Sequence, residues 1–212
     1  MTNPWLQIPA QDYEGHMAST DVGQLQVLND LMAYILAKFS PKTLAVFGCS
    51  TGNGFEHISP NKTERIVGID INPDYLDVVR NRFEKRLPSL ELIEYDFTSS
   101  SFHIEPVSMI FAALVFEYVN IERALLNISK CLVLGGNFIA ALQLPSPDAP
   151  SVTKTQYTSL ESLTSIMKLV DVDAFTESCF QRGLLRVGMR HISMKHGKAL
   201  YIGHYKKTEQ TN

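Results

Sequence analysis

LAVFGCSTGNGFEHI, from Leu44 to Ile58, decides how the rest of the chain is read. Thr43 to Phe47 has the length and apolar character of a buried strand, and Gly48 stops it. Glycines then recur at 52 and 54. This Gly-x-x-x-Gly-x-Gly spacing differs from the Gly-x-Gly-x-x-Gly of dinucleotide-binding turns. Glycine takes positive φ without strain and lets a ligand touch main chain where a Cβ would stand off. Without a ligand, the same residues make a tight turn. Only positions 55 to 59 are free to be helical, because Pro60 cuts the segment off.

Upstream, Leu25, Leu28, Leu31, Met32, Ile35, Leu36 and Phe39 recur at steps of three and four, which predicts a core-facing helix over 21–39. Ser40-Pro41 ends it. Downstream, RIVGIDI (65–71) is a second buried strand. Asn72-Pro73 then supplies a cap and first-turn proline for a helix with Leu76, Val79 and Phe83 on one face. The alternation continues through strands at 90–95 and 107–113, a helix at 121–132, a Gly135-Gly136 turn and a strand at 137–142. LPSPDAPSVTKTQYTS reads as a long loop. Helical pieces at 160–169 and 171–182 follow, and two strands flanking KHGK close the chain. Alternating strands and helices predict a doubly wound, mostly parallel α/β sheet, ending here in an antiparallel hairpin strand.

Asp70 ends the second strand beside the glycine loop, in the crevice at the strand tips where open α/β sheets bind ligands. A carboxylate there accepts hydrogen bonds from both hydroxyls of a ribose; as a purely structural group it would sit favourably at a helix N-terminus. A pyrophosphate needs a longer helix behind the glycines than Pro60 allows, which weighs against NAD. A ribose joined to an amino-acid end, without phosphate, fits better.

The 212-residue chain is 45% hydrophobic and 19% charged with a net charge of −3. Such values suit one globular domain, with no excess of cations for nucleic acid and no apolar run long enough for a membrane helix. Cys49, Cys131 and Cys179 are too widely spaced for a metal site or a small disulfide framework. A cytoplasmic protein is expected, monomeric or homodimeric.

Four pieces together resemble the class I S-adenosylmethionine-dependent methyltransferases over about residues 20 to 206: VFGCSTGNG, VGIDINPDYLDVVRNRF, LIEYDF and SKCLVLGGNFIAAL. The resemblance implies a seven-stranded Rossmann-like methyltransferase fold with residues 1–20 a lid; the chain is expected to be one domain over 1–212, its polar end at 207–212 a flexible tail. It implies that Gly48, Cys49 and Gly52 cradle the methionine part of the cofactor, Asp70 the ribose, Ile71 the adenine face, and Asp96 and Phe97 the adenine edge. Leu114, at the tip of the fourth strand, joins this set. Tyr13, His16 and Met17 share a helical face in YEGHM, which would close the pocket.

Methyl transfer from a sulfonium needs chiefly alignment, plus a base where the acceptor must lose a proton. The acceptor should enter near LVFEYVN (114–120) and QLPS (143–146). Glu117 is the ionisable residue there, a base if buried, or else a group leading into the next helix. His16 is the other candidate base, and Gln143 a reader of substrate. No Asn-Pro-Pro-aromatic run follows the fourth strand, which disfavours adenine or glutamine amide nitrogen as acceptor. Ala112, Ala113 and Gln143 stand where a magnesium-dependent member would place acids, so no metal is expected. The expected activity is methylation of a small molecule; the alternatives are an NAD-dependent oxidoreductase and a non-catalytic S-adenosylmethionine-binding protein.

Overall fold

The computed structural model describes residues 3–209. A short 3-10 turn, Pro4–Gln7, precedes helices α1 (Ala10–Ala18) and α2 (Gln24–Phe39). Strand β1 (Thr43–Phe47), a single 3-10 turn Phe55–His57, strand β2 (Arg65–Asp70) and helix α3 (Pro73–Phe83) follow. Next come β3 (Leu90–Glu94), β4 (Val107–Ala113), a 3-10 turn Phe116–Tyr118, α4 (Ile121–Lys130) and β5 (Leu132–Gln143). The chain closes with a 3-10 segment Thr158–Ser165, α5 (Val172–Gln181), β6 (Leu184–Ser193) and β7 (Ala199–Lys207).

One seven-stranded sheet has the order β3-β2-β1-β4-β5-β7-β6. Strands β1 to β5 pair in parallel, and β7 slots between β5 and β6, antiparallel to both. The strand order reverses at β1, whose neighbours are β2 and β4, so a crevice opens beyond its C-terminal end.

Period-two alternation feeds two cores. Leu44 and Val46 of β1 pack with α2 and α3, while Ala45 and Phe47 face the opposite layer with Ala124, Leu125 and Ile128 of α4 and Phe175 of α5. Asn72 caps α3 by accepting the Asp74 N–H at 3.0 Å, with Pro73 in the first turn.

Four boundaries differ from expectation. The helix read from residue 21 begins at Gln24, after Gly23 in the left-handed region. Gly135-Gly136 does not separate helix from strand: β5 starts at Leu132, and the glycines lie in an irregularity where the β4–β5 register shifts. The piece around 160–169 is a 3-10 segment over Thr158–Ser165, not an α-helix. Finally, β7 runs through Lys207, whose Nζ donates to the Leu132 carbonyl, and the Thr208 N–H bonds to Gly183. Order therefore passes the point where the tail was expected to begin; positions 210–212 of that tail, like positions 1–2 of the lid, lie outside the described residues.

Candidate active site

The loop after β1 is built on left-handed backbone. Gly48, Gly52 and Gly54 have φ of 70°, 81° and 89°, and Ser50 adopts 46°. A Cβ on Gly54 would stand 2.6 Å from the Cβ of Met32 in α2, so this glycine also lets the loop lie against the helix. The Ser50 N–H donates to Asp70 Oδ2 at 2.8 Å, and the Asn72 N–H to Oδ1 at 2.9 Å. Asp70 thereby ties the loop after β1 to the loop after β2. It is 9% exposed, and burial raises its pKa while these backbone donors oppose the rise.

Beside this junction lies a cavity of about 460 Å³, within the range of small-molecule sites. Of the expected cofactor residues, Tyr13, Met17, Gly48, Asp70, Ile71, Asp96, Phe97 and Leu114 line it. Leu114 takes φ of 54°, strained for a branched side chain, with its N–H donated to the Ala141 carbonyl at 2.9 Å. Asp96 accepts from the Thr98 N–H and hydroxyl at 2.8 and 2.7 Å.

Two loop residues fall elsewhere. Cys49 is 5% exposed and turns inward, its Sγ against Gly68 of β2, and burial pushes its thiol well above the ordinary range. Gly52 faces away from the cavity, where a Cβ would meet Phe83 and Val79 of α3. Ser50, not Cys49, lines the cavity.

Glu117 lines the cavity at 2% exposure. It does not cap α4, because the Asn120 side chain does so by accepting the Arg123 N–H at 3.0 Å. Glu117 instead reaches β5, where Oε1 accepts the Gln143 N–H at 2.7 Å, while Oε2 is buried without a partner. Burial raises its pKa to about 7, against the opposing effect of the Gln143 N–H. Gln143 is committed on both side-chain atoms, accepting from Gln24 Nε2 at 3.0 Å and donating to the Ser151 carbonyl at 2.8 Å. It anchors the loop after β5 over the cavity.

His16 is not among the residues lining the cavity. It is 6% exposed, and its Nδ1 lies 3.0 Å from Thr155 Oγ1. Burial and the nearby Lys198 lower its pKa. Lys198, 3% exposed, bonds Thr153 through Nζ, so His16 and Lys198 together hold the loop at 153–155.

The N-terminal segment covers the cavity. Trp5, Leu6, Tyr13 and Met17 line it, the Trp5 carbonyl accepts from Asn72 Nδ2 at 2.9 Å, and Glu14 pairs with Arg82 of α3 at 3.0 Å. Trp5, Tyr75, Tyr118, Gln24 and Met167 also line it and were not singled out from the sequence. Tyr75 and Tyr118 lie within VGIDINPDYLDVVRNRF and LVFEYVN, where nothing in their spacing sets them apart from core aromatics.

S-adenosylmethionine fits these residues on three counts: an acid at the β2 tip, the loop residues Gly48 and Ser50 in the lining, and Tyr75, a lining residue whose buried hydroxyl has no partner. The segment after the glycines is a single turn, Phe55–His57, too short to offer a dinucleotide pyrophosphate the amino end of a helix.

Residues 45–136 match the family model of a methyltransferase domain. No curated protein matches the sequence. Among solved structures, the chain is similar to the N-methyltransferase NodS from Bradyrhizobium japonicum WM9 in complex with S-adenosyl-L-homocysteine, at 16% identity and a TM-score of 0.68, covering 94% of this chain and 98% of that one. It is similar also to geranyl diphosphate C-methyltransferase from Streptomyces coelicolor A3(2), in complex with Mg2+, geranyl diphosphate and S-adenosyl-L-homocysteine, at 11% identity, TM-score 0.65, and 88% and 82% coverage. The [4+2]-cyclase SpnF shares the fold at 13% identity and TM-score 0.66, over 85% and 80% of the two chains.

Proposed function

We propose that the chain, whose residues 45–136 match the model of a methyltransferase domain, is a class I S-adenosylmethionine-dependent methyltransferase that methylates a small molecule bound beneath its N-terminal segment. The observation that carries this is the single cavity wall that joins Asp70, the Gly48–Ser50 backbone and Glu117. The bound cofactor supplies a methyl group on a sulfonium, transferred by in-line displacement.

The protein's own residues bind, orient and exclude water. Asp70, already positioned by Ser50 and Asn72, keeps lone pairs for the ribose hydroxyls. Ile71 and Phe97 wall the adenine, and Asp96 at the mouth accepts from its amino group. Gly48 and Ser50 offer main chain to the methionine end, and Tyr13, Met17 and Leu114 close over it. Glu117 is the group that takes a proton from the acceptor, since it lines the cavity with one carboxylate oxygen unpartnered and burial raises its pKa to about 7, which lets it do so at neutral pH. His16 anchors the loop after β5 and has no part in proton transfer. The 460 Å³ cavity, enclosed by α1 and that loop, suits an acceptor of small size better than a polymer.

Calorimetric titration with S-adenosylmethionine, S-adenosylhomocysteine and NADH tests the binding half of this proposal. Affinity for the first two and none for NADH is expected; binding of NADH alone would overturn it.

A further inference from the structure

The methyltransferase assignment leaves the acceptor open, and the cavity's charge and shape narrow it. Among the described residues, its lining holds three carboxylates, Asp70, Asp96 and Glu117, and no lysine, arginine or histidine. An anionic acceptor such as a phosphate or carboxylate would find no cation there, and beyond the two acids assigned to the cofactor it would meet Glu117. Two of those acids are already engaged, Asp70 by the Ser50 and Asn72 N–H groups and Asp96 by Thr98. Glu117 is engaged through Oε1 alone: its Oε2 is buried without a partner on a residue of the cavity lining. Leaving such an atom without a partner costs about 1–3 kcal/mol, so a ligand with a hydrogen to donate gains on binding.

Aromatic rings complete the enclosure. The Trp5 and Tyr118 rings stand 5.0 Å apart at 89°, and Tyr13 meets Trp5 at 6.1 Å and 69°. These rings pack edge to face on one another and share the cavity lining with Glu117, and aromatic surface beside a carboxylate is complementary to a cation that carries N–H donors. An alcohol satisfies Glu117 with one hydrogen but leaves the ring faces and the negative potential unused.

We propose, on the basis of that methyltransferase assignment, that the acceptor is a primary or secondary amine, which enters as an ammonium with its nitrogen at Glu117 Oε2 and its carbon skeleton among Trp5, Tyr13 and Tyr118. The ammonium passes one N–H proton to Glu117 Oε2 and becomes a neutral amine. The nitrogen lone pair then forms the new C–N bond to the methyl carbon as the methyl C–S bond breaks, its electron pair staying on sulfur as a neutral thioether. The positive charge leaves on the N-methylammonium product, and Glu117 returns its proton to solvent. Burial of Glu117 supports this step, because it makes the carboxylate a stronger proton acceptor than an exposed one.

The test is calorimetry on the whole protein saturated with S-adenosylhomocysteine. The probes are a panel of aryl-alkyl and alkyl amines, each paired with the alcohol and the carboxylate of the same skeleton, phenethylamine, 2-phenylethanol and 3-phenylpropanoate among them. At least one amine should bind roughly tenfold or more tighter than its alcohol, equivalent to about 1.4 kcal/mol, and its carboxylate more weakly than either. Glu117→Gln should bring amine and alcohol to within about twofold; its titration with S-adenosylhomocysteine reports that the pocket is formed. Trp5→Leu should weaken the amine more than the alcohol. Amines that bind no tighter than their alcohols, or an amine preference that survives Glu117→Gln, would overturn the assignment. Wild-type protein that fails to take up S-adenosylhomocysteine at all would instead overturn the methyltransferase reading on which it rests.

Discussion

Glu117→Gln should make the protein more stable above pH 7 and leave it unchanged in acid. Burial raises the Glu117 carboxyl from its usual 4.5 to about 7, and the residue is 2% exposed, so solvent does little to soften the shift. Between those two pH values the folded protein holds a proton there and the unfolded chain does not. Wild-type stability from this group is therefore fully present below the unfolded value and is lost as pH rises through the folded one. At about 1.36 kcal/mol per pH unit, the loss reaches about 3 kcal/mol by neutrality and then stays constant. Glutamine has no proton to lose, and its side-chain oxygen still accepts the Gln143 N–H, so the variant escapes the penalty. For a chain of this length, that corresponds to a melting temperature higher than wild type by about 6–12 °C at pH 8. Thermal unfolding of both proteins followed by circular dichroism from pH 4 to 8.5 measures the difference, in which every other titrating group cancels. A difference that does not change with pH would refute the buried, proton-binding carboxylate, whatever its size.

Asp70→Asn should weaken S-adenosylhomocysteine binding by about 1–3 kcal/mol, since an amide accepts on one side only; an unchanged dissociation constant would remove Asp70 from the site. Gly54→Ala places a methyl 2.6 Å from the Met32 Cβ at a φ of 89°, so urea unfolding should show a loss of about 1–3 kcal/mol or more. Cys49, Cys131 and Cys179 are all buried with thiols pushed above the ordinary range, and mass spectrometry after iodoacetamide at pH 7.5 should find none of them alkylated until the protein is unfolded. Rapid labelling of native Cys49 would mean that its side chain turns toward the cavity after all.

Local features of the sequence decided the parts of the fold governed by local physics. A five-residue apolar strand stopped by glycine, a second ended by Asp70, and Asn72-Pro73 at the head of α3 each carry their own start or stop signal, and together they place the crevice. The proline at position 60 also bounds the segment after the glycine loop, which is a single turn. Backbone conformation and period-two burial depend on neighbours close in the chain, so they are written where they act.

Which way each loop side chain points, and what meets it, was decided only when distant segments closed. Cys49 and Ser50 are adjacent, yet Cys49 packs on β2 and Ser50 faces the cavity, because Asp70 draws the Ser50 N–H across. His16 shares its helix with Tyr13 and Met17, but its partner Thr155 lies 139 positions away, and that bond takes it out of the site. Glu117 owes its unpartnered oxygen to a backbone N–H on β5, and the rings of Trp5 and Tyr118 meet across more than half the chain. These contacts depend on loop closure and packing shape, which no local pattern encodes, and they bring an ordinary glutamate and scattered aromatics into one cavity lining.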